Sequence, residues 1–433
     1  MTDRSNADTN TLVPISEIQA DAPAPPHPVA DAIDRYLHTT RDIQFAARAF
    51  IPAAFKIMRA QAVDTKAGFD HAESLMAETD PGNRAHGLKL AFANIRKAKR
   101  LQYSKLPLLL ENSLFVSMFS SFDVFTGELI SALHLRKPAL FDRLNRTVPL
   151  STVLAASSLE MLKASVLDEE IETFRRKSYT EQFDYLETTF GIVLRKFDRW
   201  PDFVEAAQRR NLLTHCGGVV SEQYRTVCLR EGYSSAKLSA VGTKLSLGGD
   251  YFFRTCELMH EVGLKLGQTL WRKVLPQDLE TADIHLNGLV YEALSQEQWE
   301  RAEIAGEFFA HQKSLFSDLY KRMAIVNYAI ALKHRNKTDE MKKALLAHDW
   351  SASIPEFRLA ESVLFGRTEE ACQIIRGIGP KGQLVEENAY HSWPLFRDLR
   401  EEPKFHDAYE AIYGYPFVSK VQLATREERI AIE

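Results

Sequence analysis

Residues 106–134 read LPLLLENSLFVSMFSSFDVFTGELISALH. Phe115, Met118, Phe119, Phe122, Phe125, Leu129 and Leu133 follow the i, i+3, i+4, i+7 spacing of an amphipathic helix. The run is several times longer than an ordinary strand. Its other side carries Ser113, Ser117, Ser120, Ser121, Gly127 and Ser131, small residues that let a neighbouring helix or a second subunit approach closely. The same period recurs along the chain: Val29 to about Val63, Thr147 to Leu167, Tyr179 to Arg195 and Asp250 to Lys273. The expectation is an all-α protein. At most a minor β-hairpin is allowed, in the weak alternation of Lys237 to Leu247 around Val241-Gly242.

Composition sets the outer bounds. The 433 residues suffice for two or three domains, and 45% apolar with 26% charged residues is ordinary for a globular chain. Net charge is −4, so nucleic acid must be met by local patches and not by a global basic field. Cys216, Cys228, Cys256 and Cys372 are scattered without metal-ligand spacing, which predicts neither a disulfide framework nor a metal site. The start, MTDRSN, has no signal-peptide core, and the richest apolar run, Leu106 to Phe125, is broken by Glu111, Asn112 and Asp123. The expected address is cytoplasmic, with no membrane contact.

Residues 1–30 are polar and then proline-rich, which reads as a disordered arm. Residues 31–104 read as an N-terminal helical extension, with Pro52 a kink or break and Thr79 to Asn83 a turn. Arg84, Lys89, Arg96, Lys97, Lys99, Arg100 and Lys105 then form a basic helix without Asp or Glu. It reads as a solvated face ahead of a phosphate-contacting one. The acidic run Asp168 to Glu172 reads as a solvated helix end.

The chemistry-bearing stretch is residues 203–218, FVEAAQRRNLLTHCGG. Gly217 and Gly218 signal a helix stop, placing Asp202 to about His215 on a helix. Asn211 and His215, four apart, share a face, and the long Arg210 side chain can swing toward the imidazole. A near-neutral acid/base beside a permanent cation suits phosphodiester chemistry without metal. The plainer reading is a C-terminal cap with a basic patch.

Arg210-Asn211-Leu212-Leu213-Thr214-His215 follows the pattern R-N-x-x-x-H and resembles the signature of the HEPN superfamily, over roughly residues 105–275. Only this match has Asn after Arg and a Gly pair after His. The looser pair Arg254 and His260 reads as structural. The resemblance implies a small helical bundle, a homodimer with motifs facing across the interface, and a metal-independent endoribonuclease that needs no cofactor. His215 would be the general base, Arg210 the transition-state cation, Asn211 an orienting amide and Arg209 an auxiliary phosphate contact. In that family an acidic residue on an early helix often supports the Arg–His pair. Asp123 would fill that role, against the plainer reading of a solvated carboxylate. The implied partner is single-stranded or tRNA-like RNA, in a toxin or antiphage setting. The alternative is a non-catalytic adaptor that dimerises and recruits a protein or RNA.

From 281 to 420 the texture changes to paired short helices, Leu286–Ala310, Ala324–His348 and Pro355–Ile378. Turns at Asn336 to Glu340 and Gly366 to Glu370 lie 30 residues apart. The pattern resembles tetratricopeptide-like hairpins, which commonly bind peptides. Residues 421–433 read as a charged tail. No Gly-rich phosphate loop, GxSxG turn, HExxH or dinucleotide fingerprint is present.

Overall fold

A computed structural model describes residues 27–418 apart from Asn145. Most of the expected arm and the charged tail lie outside the described residues. Among the described residues the chain is all-α, with 17 α-helices, short 3-10 turns and no strand. It divides into two compact units. One is Asp31–Val274, which holds residues 31–104 together with the bundle; the other runs from Leu275 onward and includes residues 27–30.

Helix α1 (Pro28–Ala77) runs through Pro52 without ending there. Proline removes the N–H that would bond the carbonyl four residues back, but Pro52 is exposed, so water can serve that carbonyl. The Asp80 carboxylate caps α2 (Pro81–Tyr103) by accepting from the Asn83 N–H at 2.8 Å, with Pro81 at the first helical position. The two helices pack closely where Gly87 meets Ala72 and Met76, and where Gly68 meets Asn94.

Helix α3 (Leu106–Arg136) is the centre of the first unit. After the short, unburied α4 (Leu150–Ala155), helices α5 (Leu159–Arg175), α7 (Trp200–His215) and α9 (Gly249–Val274) pack on it, with α6 (Tyr179–Phe190) against those three and α8 (Glu222–Arg230) against α7. The helix expected over Thr147–Leu167 is interrupted before Ser158, whose hydroxyl caps α5 at the Met161 N–H. The helix expected to reach Arg195 stops at Gly191, which takes the left-handed conformation at φ 63°. Phe115, Phe119, Phe122, Phe125, Phe203 and Phe252 are fully buried, so the aromatic stripe of α3 is the core. Tyr36 of α1 stacks on Phe125 at 4.6 Å and donates to the Met259 carbonyl at 3.0 Å. Gly263 of α9 makes room for it: a Cβ there would lie 2.0 Å from Tyr36.

The hairpin expected within Lys237–Leu247 does not pair with itself. Gly242 (φ 84°) turns the chain, and the segment pairs with the backbone after α7. Val220 N–H bonds Thr243 at 2.9 Å and Leu245 N–H bonds Gly218 at 2.8 Å. This is an isolated antiparallel bridge, Val219 to Lys244.

The second unit contains three helical hairpins: α10 (Leu279–Ser295) with α11 (Trp299–Ala310), α12 (Asp318–His334) with α13 (Thr338–Leu346), and α14 (Pro355–Leu364) with α15 (Thr368–Ile378). Their turns repeat atom for atom. The central residues Glu297, Asn336 and Gly366 all have left-handed φ, at 55°, 59° and 72°. The next residue's N–H reaches back five positions each time: Gln298 to Ala293, Lys337 to Leu332, Arg367 to Ser362. That is a Schellman closure, which satisfies carbonyls the helix end would leave open. The first of the three is invisible to turn statistics, because Glu seldom adopts this conformation. Helices α16 (Glu387–Ser392) and α17 (Pro403–Tyr413) follow, with Tyr390, Phe396, Phe405 and Tyr409 buried.

Candidate functional site

Helix α7 starts with Pro201 in its first turn and Asp202 close behind, both suited to a helix N-terminus. It ends on a glycine turn: the Cys216 and Gly218 N–H groups both bond the Leu212 carbonyl, at 2.8 and 2.9 Å, with Gly217 left-handed at φ 59°. A Cβ on Gly218 (φ 81°) would meet the Leu245 carbonyl at 3.1 Å, so the glycine pair both stops the helix and admits the 243–245 backbone. His215 is therefore the last helical residue, and it is exposed.

One turn earlier, Arg210 enters a cluster built by three helices. Its Nη2 donates to the Tyr179 hydroxyl at 2.8 Å and lies 3.4 Å from Asp123 Oδ2, while Nη1 donates to Asn211 Oδ1 at 3.1 Å. The guanidinium carbon also sits 5.4 Å from the Tyr179 ring centroid and 5.8 Å from that of Phe119. Tyr179 opens α6 behind a Ser178–Glu181 capping box, which fixes its direction. The ion pair is only partly wet, with side-chain exposures of 22% for Arg210 and 26% for Asp123. Asp123 Oδ1, Arg210 Nε and Gln182 Oε1 are buried without a hydrogen-bond partner among the described residues. The cluster thus retains unused donor and acceptor capacity.

Burial pushes the Asp123 carboxyl above its usual range; the Tyr179 hydrogen bond and the Arg210 charge pull the other way without cancelling it. Burial likewise raises Tyr179, with the Asp123 charge adding to it, so the phenol stays protonated. The Asp123 shift makes stability pH-dependent. Above about pH 4, the ordinary aspartate value, the unfolded chain has lost a proton that the folded chain still holds. Stability contributed by that proton is therefore complete at low pH and is lost as pH rises through the raised value. Urea midpoints across mildly acidic pH should show this falling component in the wild type and lose it in Asp123→Asn. Equal pH slopes in both proteins would refute the assignment.

The structure therefore brings Arg210, Asn211 and Asp123 together but leaves His215 outside their network. Among the described residues the His215 side chain makes no hydrogen bond or ion pair. Five residues of helix put it about 7–8 Å further along the axis than Arg210, with Asn211 and His215 on neighbouring angles. The second Arg–His pair differs: Arg254 is paired with Asp250 at 3.3 Å on the exposed surface of α9.

Arg209 belongs to a separate, drier network. Glu205 is 2% exposed and accepts from Arg209 at 2.8 Å, Tyr224 at 2.6 Å and Tyr251 at 2.6 Å. Arg209 also donates to the Ser246 carbonyl at 3.1 Å and lies 3.8 Å from the Tyr251 ring centroid. A phosphate contact by Arg209 would have to displace one of these partners. Sequence reasoning missed Glu205 and Tyr179. For Glu205 a signal existed: a lone carboxylate inside the apolar run Phe203 to Ala207, four residues before an arginine.

No group of three or more His, Cys, Asp or Glu among the described residues is arranged to hold a metal ion. An open depression along α5, lined by Arg146, Met161, Asp168, Glu172 and Arg176 among others, contains none of the residues nominated from the sequence. No protein-family model matches the chain, and neither does any curated protein or solved structure.

Proposed function

We propose that this chain is a metal-independent endoribonuclease of the HEPN type, acting as a homodimer on single-stranded or tRNA-like RNA. The observation that carries the reading is the Arg210 guanidinium, held by Asp123 and Tyr179 beside Asn211, on a helix whose last residue is an exposed histidine. In this mechanism the His215 imidazole takes the proton of a ribose 2′-OH, and the 2′-oxygen attacks the adjacent phosphorus. The bond from phosphorus to the 5′-oxygen breaks, leaving a 2′,3′-cyclic phosphate and a 5′-hydroxyl that takes up a proton. Arg210 offsets charge on the phosphorane, and Asn211 orients the phosphate. The helical hairpins of the second unit would recruit a protein or peptide partner.

The adaptor reading has one observation in its favour: Arg210 is already bonded to Asp123 and Tyr179, and no bond joins it to His215. Incubation of purified protein with single-stranded RNA and tRNA in excess EDTA separates the two. Cutting that persists in EDTA and yields a cyclic phosphate end supports the nuclease. Cutting that appears only with magnesium sinks this mechanism, and no cutting under any condition favours the adaptor.

A further inference from the structure

Helix α2 is packed on one side only. Its buried residues are Gly87 and Asn94, which face Ala72, Met76 and Gly68 of α1. At 100° per residue, Leu88, Phe92, Ile95 and Tyr103 fall in one arc about 80° wide, well away from that packed edge. Their exposures are 52%, 63%, 41% and 76%, so the arc faces outward along most of the helix. An outward row of four large apolar side chains is not a solvated face.

Charge frames the row. Residues 81–105 hold seven lysines and arginines and no Asp or Glu, in a chain of net charge −4. Arg84 borders the arc on one edge; Lys89, Arg96 and Arg100 border it on the other; Lys99 lies within it. All five are exposed, and the facing α1 offers little compensation, the exposed Lys97–Asp64 contact at 3.5 Å being one such pair. The occupant of this face must be apolar where the arc is and anionic at its margins. A second copy docked through the same face would set two cationic helices against each other, which costs energy in a symmetric interface. RNA would satisfy the cations and could stack on Phe92 and Tyr103, but Leu88 and Ile95 offer nothing to a base. A bilayer with anionic headgroups satisfies every member. The arc enters the acyl boundary, the cations meet lipid phosphates, and Lys99 extends its ammonium back toward them.

We infer that α2 is an interfacial membrane-binding helix that lies in the surface of an anionic bilayer. This differs from the expectation of no membrane contact, which rested on the search for a spanning run. The stretch Pro81–Arg136 does contain a window long and apolar enough to cross a membrane, but Phe115, Phe119 and Phe122 are used in the bundle core. The structure favours lying on the surface over crossing it.

The test is flotation of the full-length protein with vesicles of phosphatidylcholine, with and without phosphatidylglycerol, at low and high salt. Expected is co-flotation with the phosphatidylglycerol vesicles alone, weakening as salt rises. Phe92→Ser and Ile95→Ser should each lower partitioning about tenfold or more, from the apolar area they no longer bury. Arg96→Gln and Arg100→Gln should each lower it about fivefold. All four positions are exposed, so circular-dichroism melts should stay at the wild-type value. The proposal is overturned if phosphatidylglycerol vesicles do not float the protein, or if these variants float as well as the wild type. It is equally overturned if the variants instead lose binding to a fluorescein-labelled RNA, or dissociate an oligomer in sedimentation, while vesicle flotation is absent.

Discussion

Replacing His215 with alanine is expected to lower metal-independent RNA cleavage by about 100-fold or more while leaving thermal stability at the wild-type value. The two halves of that expectation have different sources. Loss of rate follows from removing the imidazole proposed as general base. Unchanged stability follows from geometry: His215 is exposed at the helix end and its side chain makes no hydrogen bond or ion pair among the described residues. Arg210→Ala should behave otherwise. It should also cost about 100-fold in rate, and in addition it strips Asp123 and Tyr179 of their shared partner. Arg210→Lys should recover little, because a point charge cannot donate to Tyr179 and Asn211 at once in the guanidinium's geometry. Single-turnover cleavage of a labelled RNA, run beside thermal melts, reads both quantities. A folded His215→Ala protein that cuts at the wild-type rate would remove the histidine from the mechanism and leave the adaptor reading standing.

The largest stability effect is expected at Glu205. Alanine there leaves the Arg209 guanidinium and the Tyr224 and Tyr251 hydroxyls without their common acceptor. With Glu205 2% exposed and the Arg209 side chain 14% exposed, water cannot replace the carboxylate cheaply. Removing one partner of such a buried pair costs about 3–5 kcal/mol. The effect should spread along the chain, because the four bonded residues tie α7, α8 and α9 to the segment ending at Ser246. Tyr224→Phe deletes one hydrogen bond and should cost about 1 kcal/mol. Pairing Glu205→Ala with Arg209→Met should destabilise less than Glu205→Ala alone, since no unpaired buried charge then remains. Urea unfolding with a common m-value measures all three. A Glu205→Ala protein within about 0.5 kcal/mol of the wild type would show that the network contributes little to the fold.

The motif helix was legible because its signals are local. Apolar spacing built it, and two glycines ended it where the structure ends it, at His215. The hairpin turns at Asn336 and Gly366 were legible for the same reason, since both residue types tolerate left-handed φ. The equivalent turn at Glu297 was not, because glutamate seldom takes left-handed φ and so gives no local signal of the turn. The Lys237–Leu247 segment misled in the opposite direction: alternation marks extended backbone but does not name its partner, which is the chain after Gly217. Asp123 came under suspicion through resemblance, whereas Tyr179, which bonds the same guanidinium more closely, carried no sequence mark at all.

Periodicity, caps and stop signals act over one helical turn, so the amino-acid order by itself determined that this chain is all-α, where the motif helix ends, and that Arg210, Asn211 and His215 share it. Burial and pairing are sums over side chains brought from distant helices. Only the tertiary structure could decide that Arg209 faces a buried glutamate while Arg210 faces Asp123 and Tyr179. The same holds for the apolar rows of α2 and α3, which look alike as sequence. Tyr36, Tyr179, Phe183, Phe203, Tyr251 and Phe252 from other helices close over α3, and nothing among the described residues closes over the outer arc of α2.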